Sequence, residues 1–283
     1  MPQHRSGAQR ASTTRIRSLL IGALAALLIA TVTTATAPEA RAATRKVVIV
    51  VGPVGGATAN YKQNANQLAD QARSYGASVI KIYSPNATWS RVSAAARGAN
   101  VLIYLGHGNG WPSPHPPFDT KSKDGMGLNA TSGNGNANTK YFGEAYMAKL
   151  ALAPDAVVVL NRLCYASGNN EWGAGNPTRS TAIKRVDNYG SGFLRGGAKA
   201  VFASGITNVG FIIRGLFKAG ASTTMSRLFW SDPAQTGKRD FTTTSARTAG
   251  AVAILDPYAP GRYYRSVIGF LDTTVGAWRG AGG

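Results

Sequence analysis

The sequence predicts an α/β fold: a mostly parallel sheet with helices on both faces, a three-layer sandwich. Three observations carry the prediction. Lys46 to Val51 (KVVIVV), Val101 to Leu105 (VLIYL) and Ala156 to Leu160 (AVVVL) are continuous apolar runs, suited to strands buried on both faces. Segments with apolar residues three and four apart lie between the runs. The order strand, helix, strand, helix, strand implies parallel pairing through right-handed crossovers.

Taken in order, the first strand ends at Gly52-Pro53-Val54-Gly55-Gly56. This stretch lacks the G-x-G-x-x-G spacing and the Walker lysine, so it reads as a turn and not a phosphate loop. A helix is expected from about Asn60 to Tyr75, with Ala65, Leu68, Ala72 and Tyr75 on one face and Gly76 as its stop. Ser78 to Tyr83 (SVIKIY) reads as the second strand, and Thr88 is placed to cap a helix reaching Arg97. The third strand, Val101 to Leu105, opens onto a Gly-, Pro- and Asn-rich loop over residues 106–140. Loops of that length are usually functional. A helix over Tyr141 to Leu152 is expected to lead into the Val157 strand. A second loop, Ser167 to Pro177, precedes a helix near Thr181 to Leu194, a strand over Ala200 to Ala203 and a helix near Thr223 to Trp230. Residues 206–283 read as an extension of the same domain.

The first 42 residues read as a signal peptide. Arg5, Arg10, Arg15 and Arg17 form a basic region, Leu19 to Val32 an apolar core, and Ala40-Arg41-Ala42 a small-x-small cleavage pattern. The apolar core is short for a membrane span, and no later stretch approaches that length. A retained anchor is the rival reading. Cleavage leaves residues 43–283 as one α/β domain in a secreted protein. That part holds 26 basic and 11 acidic residues, a net charge of +15. Such charge draws anionic partners, which outside a cell are surface polymers, lipid headgroups or acidic proteins. No dense Lys/Arg run occurs, so scattered solubilising charge is the simpler account, and export argues against nucleic acid. Asn86 and Asn129 begin Asn-Ala-Thr sequons, which matter only where the source glycosylates.

One cysteine excludes an internal disulfide. Cys164 and His107 each lie just past an apolar run, where an α/β sheet lines its ligand crevice. A thiol with a pKa near ~8.5 needs a base or a positive neighbour, and an imidazole near ~6.5 can act as that base. Taken alone, a cysteine after a strand is often a buried small hydrophobe, and a histidine before glycine a turn residue. His115, within the Pro-rich loop, is the competing base. Glu171 would face the cleft and read a basic side chain, or stand as a solvated loop acid. Trp111 and Trp172 are candidate substrate-binding residues. Asp119 and Asp124 offer oxygen ligands for calcium, but no D-x-D-x-D-G run accompanies them, and zinc lacks ligands at suitable spacing. No metal and no cofactor is expected.

A strand ending in His107-Gly108, then a strand ending in Cys164 57 residues later, resembles the caspase, gingipain and legumain clan of cysteine peptidases, including its CHAT branch. Phe193 to Ser204 (FLRGGAKAVFAS) resembles the Gly-Ala-x-x-Val strand of CHAT-like sequences. The likeness covers about Val47 to Ser204. Leu163 stands where the clan usually has a small residue, and the caspase Gln-Ala-Cys-x-Gly run is absent. The resemblance implies a caspase-like sheet and a Cys164/His107 dyad that hydrolyses peptide bonds. It also implies an oxyanion hole from the N–H groups of Gly108 and Cys164. The rival is a non-catalytic extracellular protein on the same scaffold, with the Trp111 and Trp172 loops binding anionic or glycan surface ligands.

Overall fold

The computed structural model describes residues 44–280. Strands β1 (Lys46–Val51), β2 (Ser78–Tyr83), β3 (Val101–Leu105), β6 (Ala156–Asn161) and β7 (Ala198–Ser204) pair in parallel in the order β2-β1-β3-β6-β7. Strands β8 (Phe241–Thr244), β9 (Val252–Leu255) and β10 (Arg265–Gly269) extend this sheet antiparallel beyond β7, as β10-β9-β8. The sheet is therefore mostly parallel, as the apolar runs predict. A separate hairpin joins β4 (Met126–Asn129) to β5 (Thr139–Phe142).

Strand alternation divides the core in two. Val48, Val50, Leu102 and Tyr104 face α2 (Trp89–Ala96), α3 (Glu144–Met147) and α4 (Arg179–Arg195). Val47, Ile49, Val101 and Ile103 face α1 (Thr58–Ser74), α5 (Gly210–Lys218), α6 (Met225–Phe229) and α7 (Val275–Gly280). In α1 the buried Ala65, Leu68, Ala69 and Ala72 recur at helical spacing, which turns that stripe onto the sheet. Each fully buried Val or Leu contributes about 1.5–3 kcal/mol.

The sequence reading differs from the structure in two regions. Residues 106–140 are not one open loop, because the β4–β5 hairpin lies within and just beyond them. Tyr141 and Phe142 pair with Gly127 and Met126 and are strand, so the helix expected over Tyr141 to Leu152 shrinks to the single turn of α3. Gly143 makes the corner, because a Cβ there would lie 2.5 Å from the carbonyl oxygens of Thr120 and Lys123. In the C-terminal part, α5, α7 and β8–β10 were not anticipated, and β10 is fixed by Arg265, whose buried guanidinium bonds Asp232 and Asp256. Thr88 stands at the N-cap of α2, but its hydroxyl accepts no backbone N–H of the helix, so the expected cap bond is not made. The signal peptide and its cleavage site lie outside the described residues. Among the described residues no helix is long and apolar enough to cross a membrane.

Candidate active site

β3 and β6 are neighbours, with Leu105 opposite Asn161, so His107 and Cys164 leave adjacent strand ends on the same edge of the sheet. The backbone there is unusual. Arg162 and Tyr165 bracket Cys164 with φ of 65° and 72°. Left-handed backbone is costly for residues with side chains and clusters where function constrains the chain.

The two strand-end loops touch. A Cβ on Gly108 would lie 2.1 Å from the Cys164 carbonyl oxygen and 2.7 Å from the Tyr189 hydroxyl. Glycine is required by this approach. Cys164 is half-buried and lines a cavity of about 680 Å³ with Tyr61, Arg162, Glu171, Trp172 and Arg262. A second cavity, about 530 Å³, holds Gly108, Asn109, His115, Lys123 and Tyr141. Glu171 borders both cavities. His107 is exposed and Trp111 partly so, and neither lines either of these two cavities.

Burial pushes the Cys164 thiol above its ordinary range. The Trp172 N–H, bonded to the sulfur, opposes this, while the negative Glu171 adds to it. Although His107 is exposed, partial desolvation by the surrounding protein lowers it from its ordinary value. Both shifts favour a neutral thiol at Cys164 and a neutral imidazole at His107 at pH 7. Chemistry in this state requires proton transfer during attack and does not start from a standing ion pair.

Glu171 is held in place. The Tyr165 hydroxyl donates to it, and His115 Nε2 lies 2.9 Å from Oε1. Its carboxyl is lowered chiefly by the Tyr165 bond. His115 therefore pairs with Glu171 across the cleft. Trp172 is 93% exposed at the cavity rim, whereas Trp111 packs on Phe118 at 6.0 Å between ring centroids. Asp119 is tied into its own turn by Lys121 N–H and the Ser122 hydroxyl. Asp124 is fully buried, accepts the Trp111 N–H, and has a carboxyl raised to about 8, mainly by desolvation. Among the described residues no three acidic, His or Cys side chains cluster as a metal site. Asn129 is also buried, with its side chain bonded to Ala87 N–H and the Gly135 carbonyl, which removes it as a glycan acceptor in the folded chain.

Several residues that shape the site had no sequence motif. Arg185 on α4 is buried and donates to the carbonyls of Pro112 and Asn169 and to Asn170 Oδ1, tying the Pro-rich loop to the Cys164 loop. Its guanidinium also lies 4.7 Å from the Tyr165 ring centroid. Tyr61, Tyr141 and Tyr189 all lie within electrostatic reach of Cys164. Leu163 packs into the core and is 2% exposed, so Cys164 and not Leu163 is the partly open residue.

No family model matches the chain, and no curated protein matches it. Among solved structures the chain is similar to a flavodoxin from Streptococcus pneumonia TIGR4, at 17% identity and a TM-score of 0.27, over 54% of this chain and 77% of that one. It is also similar to a secreted C11 cysteine protease from Bacteroides thetaiotaomicron in complex with an irreversible peptide inhibitor. There the identity is 10% and the TM-score 0.36, over 75% of this chain and 66% of that one. A second structure of a secreted C11 cysteine protease from that organism gives 11% and 0.35, over the same shares.

Proposed function

We propose that this chain is a cysteine peptidase-like hydrolase with Cys164 as nucleophile and His107 as acid and base. The contact that brings Gly108 against the Cys164 carbonyl, at neighbouring strand ends, is the observation that carries the reading. His107, neutral at pH 7, takes the thiol proton as Sγ attacks the scissile carbonyl. The new oxyanion faces the N–H groups of Gly108 and Cys164, an arrangement worth ~3–4 kcal/mol of transition-state stabilisation. His107 then protonates the leaving amine, and water releases the acyl group from sulfur with His107 as base again.

The substrate is a peptide lying across the Cys164 cavity, with Trp172 and Glu171 at its wall. Arg162 and Arg262 line the same cavity, and among the described residues neither pairs with a carboxylate. The positive surface also suits an anionic outer cell surface, after export with loss of residues 1–42. N-terminal sequencing of secreted protein should then begin near Ala43; an intact Met1 on exported protein overturns that part. The main test is a fluorogenic peptide library. Cleavage by the wild-type protein that disappears in Cys164→Ala supports the reading, and equal turnover by both proteins refutes it.

A further inference from the structure

Tyr104 breaks an otherwise aliphatic strand, and its hydroxyl folds back over the strand's own end. The side chain is fully buried in the core beside Leu102 and Met126. The hydroxyl accepts the Gly127 N–H at 2.9 Å. Its own proton faces the Gly127 carbonyl at 2.7 Å, with the His107 carbonyl at 3.0 Å. Burial keeps the phenol protonated and able to donate. One oxygen thus joins the first strand of the hairpin to the backbone of His107.

Three glycines make room for this junction: a Cβ on Gly52 would lie 2.2 Å from the Gly127 carbonyl oxygen and 2.9 Å from the Tyr104 hydroxyl. A Cβ on Gly106 would lie 2.1 Å from the Tyr104 hydroxyl. A Cβ on Gly127 would lie 3.2 Å from the Cβ of His107, 3.1 Å from the Tyr141 ring and 2.8 Å from the Thr139 methyl. His107 is therefore held from two directions: its carbonyl by the longer branch of the Tyr104 O–H bond shared with the Gly127 carbonyl, its Cβ against Gly127. An exposed side chain on a loop otherwise has little to fix its direction.

We propose that Tyr104 is a positioning residue that clamps His107 to the β4–β5 hairpin and so sets where the imidazole stands relative to Cys164. The clamp itself is a statement about His107's place; its consequence for chemistry rests on the dyad reading above. The two are separable by measurement.

The variant is Tyr104→Phe, which keeps the ring in the core and deletes the hydroxyl. In the wild-type protein, NMR should show a cross-peak between His107 Hβ and Gly127 Hα, and slow exchange of the Gly127 amide. In Tyr104→Phe the cross-peak should vanish and Gly127 should exchange up to roughly tenfold faster, the effect of one lost hydrogen bond. Amides of Val158 and Val159 should remain as protected as before. A variant that keeps both the cross-peak and the protection overturns the clamp. Should Tyr104→Phe not fold, the wild-type protein decides: fast exchange at Gly127 overturns the clamp, and slow exchange with the cross-peak supports it. Iodoacetamide alkylation of Cys164 across pH adds the second arm. A Tyr104→Phe profile that matches His107→Ala supports a clamp that serves the thiol. Loss of the cross-peak with a wild-type alkylation profile keeps the clamp and removes His107 from the chemistry.

Discussion

Gly108→Ala is the substitution most sensitive to the contact between the two strand-end loops. The added methyl would stand 2.1 Å from the Cys164 carbonyl oxygen, where real Cβ atoms keep at least 3.0 Å, so about 1 Å of backbone separation is needed. The obstacle is main chain on both sides, with the Tyr189 hydroxyl behind it at 2.7 Å, and neither can rotate away. Overpacking of this kind costs about 1–3 kcal/mol. For a domain of this size that is a fall of roughly 3–10 °C in Tm. The larger effect should be on turnover. Moving the Gly108 N–H by about 1 Å removes an oxyanion donor, which lowers kcat by about 10²–10³. Thermal unfolding and peptide turnover measured on the same preparation read both numbers. Gly56→Ala is the control, since a Cβ there meets nothing within 4 Å. A Gly108→Ala protein with wild-type Tm and wild-type turnover would refute both the contact and the role assigned to it.

Two further predictions concern charge. Asp124 has a folded pKa of about 8, above its ordinary value near 3.8. The folded state therefore binds the proton more tightly, and stability should decline as pH rises from about 4 to about 8, by at most ~5 kcal/mol. Asp124→Asn should flatten that slope in urea unfolding measured across this range; an unchanged slope would show that Asp124 ionises normally. Glu171→Gln keeps an acceptor for Tyr165 but removes the negative charge that raises the Cys164 thiol. The midpoint of iodoacetamide alkylation against pH should move down, and a midpoint that stays or rises contradicts the assigned electrostatics.

The parallel half of the sheet was legible because its central strands are buried on both faces and read as unbroken apolar runs, and because the edge strand β2 keeps an alternation of apolar residues. β1, β2 and β3 fall where KVVIVV, SVIKIY and VLIYL place them. The β4–β5 hairpin was not legible. Its strands are four residues each, MGLN and TKYF, with glycine and asparagine inside, and what fixes them is the hydroxyl of Tyr104 from another element. The C-terminal strands were hidden for a related reason. β8 alternates half-buried and exposed residues at a sheet edge, and β10 is held through Arg265 by Asp256 and by Asp232, which lies 33 residues earlier in the chain. At the site, the apolar runs were enough to place His107 and Cys164 just beyond two strand ends, which the sheet makes neighbours. The supports were not visible, since Arg185 and Tyr104 act through backbone carbonyls distant in sequence, and Tyr165 through the Glu171 carboxylate and the Arg185 guanidinium. The local sequence around Glu171 shows an acid in a loop. Only the fold shows that Tyr165 and His115 hold it between two cavities.

The measurement closest to the central claim is activity and Tm together for Cys164→Ala, His107→Ala and the double variant. Groups that act in a single step are strongly non-additive, so each single variant should abolish turnover and the double should be no worse. Cys164 is half-buried at a cavity wall, so its loss should leave Tm within a few degrees of wild type. Retained turnover in Cys164→Ala, with a lowered Tm, would mean that the cysteine is a packing residue and that the chain does not act through its thiol.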